Sequence, residues 1–233
     1  MARPRPIIGI NCDYRQEERA CSFLYPAYQK AVEAAGGIPM LIPPLSRPAD
    51  IDQLLEHCDG LLLTGGDDID PRHYGQEVRA PWTPVAPQKE AADFRLVRSA
   101  LGRDVPMLAV CYGMQLLGVV SGGTLVQDLA TGPDRVRHHL PDELARHEVR
   151  AAPGSRLSEL FSGSICQTNS KHHQAVASVG ASLSISGKTV DDVVEAIESP
   201  NHRFVLGVQW HPELERESAS GSRLFESLIA ACR

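Results

Sequence analysis

The sequence predicts a three-layer α/β/α domain built on a mostly parallel central sheet. Two observations carry this. Short, continuously apolar runs alternate with helix-length amphipathic segments through the first half of the chain, the pattern of strands covered on both faces by crossover helices. No internal repeat or low-complexity linker interrupts the 233 residues, so residues 1–233 read as a single domain of a length that α/β units reach.

The elements follow in order. "RPIIGINC" (5–12) is a first strand, and the four apolar residues behind its arginines are too few for a signal-peptide core. "YPAYQKAVEAAGG" (25–37) is a helix with glycines at its C-terminal end, and "IPMLIPP" (38–44) is a strand stopped by prolines. "ADIDQLLEHCD" (49–59) puts Ile51, Leu54, Leu55 and Cys58 on one helical face, and "GLLLTGG" (60–66) is a third strand. The loop from Gly65 to about Gln88 is long and rich in turn formers, the character of a lid or pocket rim. "KEAADFRLVRSALGRD" (89–104) resumes helical periodicity, and "VPMLAV" (105–110) is a fourth strand. The second half is less regular, with shorter strands and one closing helix, "SGSRLFESLIAACR" (220–233).

Composition narrows the class. Hydrophobic residues at 42% and charged residues at 22% suit a soluble globule with a real core. A net charge of -6 argues against a general nucleic-acid or membrane-surface binder. The longest apolar run, "MLAVCYGMQLLGVV", contains Gln115 and two glycines and falls short of the roughly 20 residues a spanning helix needs. A cytoplasmic protein is expected. The six cysteines are scattered without a CxxC pair, which speaks against a disulfide or zinc framework.

Cys111 sits where the fourth strand meets the next helix. A sharp reversal there pushes the side chain outward as a nucleophile elbow does, and Gly113 relieves the crowding between strand and helix. The helix N-terminus favours a thiolate, and its free backbone N–H groups point where an oxyanion would form. A second strand, "FVLGVQWHPELE", ends at His211 and Glu213. In extended geometry residues two apart face one side, so Glu213 can orient His211 as the base for the thiol. A third strand end, "LLLTGGDD", offers Gly66 N–H, which with Tyr112 N–H would make a two-donor oxyanion hole. Each piece alone is commonly ordinary packing or a plain turn; three together are hard to read as accident.

"AVCYGMQ", "GVQWHPE" and "TGGDDIDPRHYG" resemble the class I glutamine amidotransferase superfamily over essentially the whole chain. "GGDDIDPRHYG" with "NSKHHQ" is similar to its γ-glutamyl-γ-aminobutyrate hydrolase branch. The resemblance implies a flavodoxin-like fold with Cys111 as nucleophile, His211 as base and acid, Glu213 as orienter, and Gly66 and Tyr112 as backbone donors. Gly65, Gln115, Asn169, Ser170 and His172 fall at positions implied to lie near substrate. The reaction implied is hydrolysis of γ-glutamyl amides through a γ-glutamyl thioester, in polyamine catabolism, with no metal or organic cofactor. The alternative is a glutaminase subunit that delivers ammonia to a separate synthetase partner. A non-catalytic binding module is disfavoured by the intact Cys, His and Glu set. No nucleic-acid or membrane partner is expected, and a homo-oligomer is compatible with the sequence.

One departure stands out. Where the branch often has an Arg-Asp-x-x-Glu run, this chain has Lys89, Glu90 and Asp93, with charge signs kept and side-chain lengths changed. The pairs His138-His139 and His172-His173 each offer at most one ligand to a shared metal, because neighbouring side chains diverge. No carboxylate or cysteine lies at zinc-ligand spacing beside them, so no metal is expected.

Overall fold

The computed structural model describes residues 4–16, 19–79, 81–129, 138, 146–162, 165–215 and 218–233. Its strands and helices in chain order begin with β1 (Ile7–Asn11), a small hairpin of β2 (Asp13–Arg15) and β3 (Cys21–Phe23), and α1 (Pro26–Ala34). Next come β4 (Ile38–Ile42), α2 (Pro48–Leu55), β5 (Gly60–Leu63), α3 (Pro87–Gly102), β6 (Met107–Val110) and α4 (Tyr112–Val120). The second half holds β7 (Thr124–Val126), β8 (His147–Ala151), α5 (Arg156–Phe161), β9 (Ile165–Thr168) and β10 (Ala175–Ser178). It closes with β11 (Ser184–Lys188), β12 (Val194–Glu198), β13 (Val205–Val208) and α6 (Ala219–Ala231).

Five strands are mutually parallel and stand side by side as β4-β1-β5-β6-β13. Numbered along the chain, that is the order 2-1-3-4-5 of the flavodoxin-like sheet, with function expected beyond the strands' carboxyl ends. The expected parallel core is therefore present, and an antiparallel wing of β12, β11, β8 and β9 extends it past β13. β10 pairs with β12 and β7 off that path.

Alternation along the central strands builds two cores. Leu61, Leu63, Met107 and Ala109 pack with Ile51, Leu55, Val97, Met114 and Leu117 of α2, α3 and α4. Leu62, Leu108, Val110, Leu206 and Val208 pack with Val32, Leu224 and Leu228 of α1 and α6. Both faces of each strand are dry, which is why these runs read as continuously apolar. The third layer follows from this: helices must cover both sides.

One segment differs from expectation. The second half forms α5 as well as the closing helix, because Ser155 caps it by accepting from Ser158 N–H. The long loop is ordered over its described part. It contains a 3-10 turn at Pro71–Tyr74, and Asp68 bonds both ways with Thr83 through its backbone N–H and its carboxylate. Among the described residues no helix is long and apolar enough to cross a membrane.

Candidate active site

The chain reverses at Cys111, as the strand-to-helix joint predicts. Its φ of 51° and ψ of -110° lie where side-chain-bearing residues rarely go. Neighbours hold it there: Cys111 N–H donates to Val208 O at 2.8 Å, and Cys111 O accepts from Gln115 N–H at 3.1 Å. Gly113 is required by contact, since a Cβ there would lie 2.6 Å from Leu63 Cβ and 2.8 Å from Leu63 O. The thiol ends up buried, with Gln209 Nε2 donating toward its sulfur at 3.5 Å.

β13 runs beside β6, so His211 arrives next to the thiol from the neighbouring strand end. Its Nδ1 lies 2.7 Å from Glu213 Oε1. The contact is not made by the extended geometry expected from sequence. Pro212–Leu214 form a 3-10 turn, which brings the carboxylate back to the ring. Burial works against a charged imidazole here. Glu213 and the Cys111 sulfur outweigh it, and the His211 pKa is raised well above its ordinary value. The ring beside the thiol is therefore held in its charged, imidazolium form.

The glycine pair divides its labour. A Cβ on Gly65 would lie 2.9 Å from His211 Cε1, so glycine makes room for the ring. Gly65 N–H is already taken, donating to Tyr28 Oη at 2.8 Å. Gly66 stands over the Tyr112 side chain, and among the described residues neither the Gly66 nor the Tyr112 amide has an acceptor. Tyr112 opens α4, where the first N–H groups have no partner within the helix. Both predicted oxyanion donors are thus free.

The four side chains expected near substrate have identifiable jobs. Asn169 clamps the backbone of His211, its Oδ1 accepting from His211 N–H at 2.9 Å and its Nδ2 donating to His211 O at 2.8 Å. Gln115 donates to Gln209 Oε1 and to Gln174 O, both at 3.2 Å, and so supports the amide that faces the thiol. Ser170 Oγ donates to His138 O at 2.6 Å. His172 is buried against Glu195, with its Nε2 3.3 Å from Glu195 Oε1. The contacts of these four are thus with the protein itself.

Sequence reasoning missed several supports. Tyr28 is buried between Gly65 and Glu213; burial first, then the Glu213 charge, raises its pKa well above the ordinary phenol value, so it stays neutral. Gln209 is a polar residue at the end of an apolar strand, a signal that was visible but carried no partner. Lys89 is fully buried and pairs with Asp93 at 2.7 Å, beneath the Tyr112 ring and 5.0 Å from its centroid. Tyr112 Oη donates to the same carboxylate at 3.2 Å. Glu90 accepts from Asp70 N–H at 2.8 Å and lies 3.1 Å from His73 Nε2. The departing Lys-Glu-x-x-Asp run thus braces Tyr112 from below and ties down the Pro71–Tyr74 turn.

Sequence spacing places no carboxylate beside the histidine pairs, but the fold brings one in from far along the chain. Strand β12 supplies Glu195, buried among His138, His147 and His172. His139 lies outside the described residues.

Comparison with known proteins adds the following. The Peptidase C26 family model matches residues 6–213. The γ-glutamyl-γ-aminobutyrate hydrolase of Escherichia coli K12 is 35% identical, over 98% of this chain and 94% of its own length. A Mycobacterium tuberculosis protein bearing a glutamine amidotransferase name is 38% identical, over 97% of this chain and 75% of its own. Among solved structures, the glutaminase domain of Trypanosoma brucei CTPS with bound acivicin superposes with a TM-score of 0.70. It covers 97% of this chain and 93% of that one at 18% identity, a likeness of fold.

Proposed function

The chain belongs to the Peptidase C26 family of class I glutamine amidotransferase-like proteins, and from that premise we propose that it is a cysteine hydrolase of γ-glutamyl amides. The observation that carries the proposal is Cys111 held at a strained strand-to-helix joint beside the His211–Glu213 pair.

In this reading the Cys111 thiolate attacks the γ-carbonyl carbon and forms a carbon–sulfur bond. The carbonyl oxygen takes the electron pair and is met by Gly66 and Tyr112 N–H. His211, protonated, gives its proton to the leaving amine as the carbon–nitrogen bond breaks, leaving a γ-glutamyl thioester. The neutral imidazole then takes a proton from water, the hydroxide attacks the thioester, and glutamate and the thiol are released. Glu213 holds the ring's orientation and stabilises its charge throughout. No residue of this sequence calls on an organic cofactor. The substrate is a small γ-glutamyl amine, for which the E. coli relative's name supplies the example γ-glutamyl-γ-aminobutyrate.

The test is glutamate release by the purified chain from a panel of γ-glutamyl amines and from glutamine. Activity on γ-glutamyl amines without a partner, lost by roughly 10³-fold or more in a folded Cys111→Ala variant, is the expected result. Full activity in that variant overturns the proposal. Activity on glutamine alone, and only when a synthetase is added, would replace it with the ammonia-delivering reading.

A further inference from the structure

The buried histidine cluster beside the site is not used by the chemistry above. We propose that His138, His172 and Glu195, joined by His147, form a binding site for one divalent transition metal of the zinc class.

The first argument is polar satisfaction. All four side chains are buried, and Glu195 is completely so. Among the described residues both ring nitrogens of His138 and His147, His172 Nε2 and both Glu195 oxygens lack a hydrogen-bond partner. So many orphaned buried polar atoms in one place are costly unless something sits between them. The second argument is tautomeric. His172 Nδ1 lies 2.8 Å from Gln174 O, which can only accept, so Nδ1 carries the proton. A neutral His172 then turns a bare lone pair on Nε2 toward Glu195 Oε1, itself an acceptor, at 3.3 Å. Two acceptors facing each other need something between them, a proton, a water or a metal ion, and the other orphaned atoms around Glu195 favour the metal.

Geometry agrees. With metal–ligand bonds of about 2.0–2.1 Å, neighbouring donors of a tetrahedral site stand roughly 3.3 Å apart. His138 Nδ1 and His172 Nε2 lie 3.2 and 3.3 Å from Glu195 Oε1, and His147 Nε2 lies 3.6 Å from Glu195 Oε2. One donor atom each from His138, His172 and Glu195 all fall within 4.8 Å of one another. One outer contact matches as well. Metal-bound histidines pass their other nitrogen to a carboxylate or carbonyl, and here His172 Nδ1 donates to Gln174 O, while Asp191 Oδ2 stands 3.7 Å from His138 Nε2, outside hydrogen-bond reach. A donor set dominated by imidazole selects a zinc-class ion over calcium or magnesium.

The site would join β8, β12, His138 and the segment after β9. That segment carries Asn169, whose side chain grips His211, and Ser170, whose hydroxyl grips His138 O. The metal would be a staple beneath the catalytic histidine, and the proposal does not depend on the substrate assigned above.

The test uses the full chain, stripped with a chelator and titrated separately with Zn(II) and Co(II). Expected is about one ion bound per chain after dialysis, and visible absorption of a tetrahedral Co(II) centre without a sulfur charge-transfer band. Cys111→Ser should leave both unchanged, and Glu195→Gln should weaken binding by more than about tenfold. Absence of stoichiometric binding by the wild-type chain overturns the proposal, as does sulfur ligation or loss of binding in Cys111→Ser. Unchanged binding in a folded Glu195→Gln overturns it too. Should Glu195→Gln not fold, the wild-type and Cys111→Ser stoichiometry and spectra decide.

Discussion

Replacing Cys111 by glycine and by alanine gives a direct measure of how hard the fold bends the chain at the proposed nucleophile. At φ 51° and ψ -110° the residue occupies the region that type II′ turns fill with glycine. Holding a side-chain-bearing residue there costs about 1–3 kcal/mol. Alanine keeps its Cβ and so keeps the strain. Glycine releases it but gives up about 0.4–1 kcal/mol through the freer unfolded chain. Glycine also loses the burial of one methyl-sized group at a site only 7% exposed, roughly 0.8 kcal/mol. With strain near the middle or top of its range, Cys111→Gly comes out about 0.5–1.5 kcal/mol more stable than Cys111→Ala. At an unstrained buried position the same comparison favours alanine by roughly 1.5 kcal/mol, so the sign itself is diagnostic. Chemical denaturation of both variants, with equal m-values, reads the difference from the midpoints. Alanine more stable by about 1.5 kcal/mol would refute the claim that this joint is strained.

Further expectations concern the supports. Glu213→Gln removes the charge that raises the His211 pKa. The imidazolium is then lost at lower pH, and the alkaline limb of the kcat/KM profile moves down while the acid limb stays; an unmoved alkaline limb counts against the pairing. Lys89→Met leaves the Asp93 carboxylate buried without its partner and should destabilise the fold by about 3–5 kcal/mol. Adding Asp93→Leu should recover much of that loss, as measured by denaturant midpoint. Asn169→Ala unfastens both backbone groups of His211, which should cost on the order of 2 kcal/mol. It should lower kcat more than it raises KM, the signature of a positioning residue and not of a substrate contact.

How much of this was legible in the chain depends on the range of the interaction. Local signals survived intact. The apolar runs that became β1, β4, β5 and β6, the turn at Cys111 and the spacing that made Gly113 a contact point are short-range facts. His211 and Glu213 are in contact as expected but by another geometry, because a 3-10 turn after Pro212 does what extended backbone was expected to do. The partners that could not be read come from far along the chain. Tyr28 reaches Gly65 across 37 residues, Asn169 reaches His211 across 42, and Gln209 reaches Cys111 across 98. Metal-ligand spacing rules look for neighbours, and Glu195 meets His172 only because β12 lies where the sheet puts it. The Lys89–Asp93 spacing was visible as helical i,i+4, but its burial under Tyr112 was not.

The position of β13 has a consequence for the order in which activity can appear. Among the described strands, the parallel core and the antiparallel wing meet in the sheet only through β13, the last strand in sequence. A chain emerging from the ribosome has Cys111 long before Val205–Val208, and until then β6 is an open edge. The same strand carries His211 just past its end and accepts the Cys111 amide at Val208 O. Insertion of one late segment therefore joins the two parts of the sheet and brings His211 to the thiol in a single event. An unfinished chain holds Cys111 without the strand that accepts its amide and without the imidazole proposed to act on it.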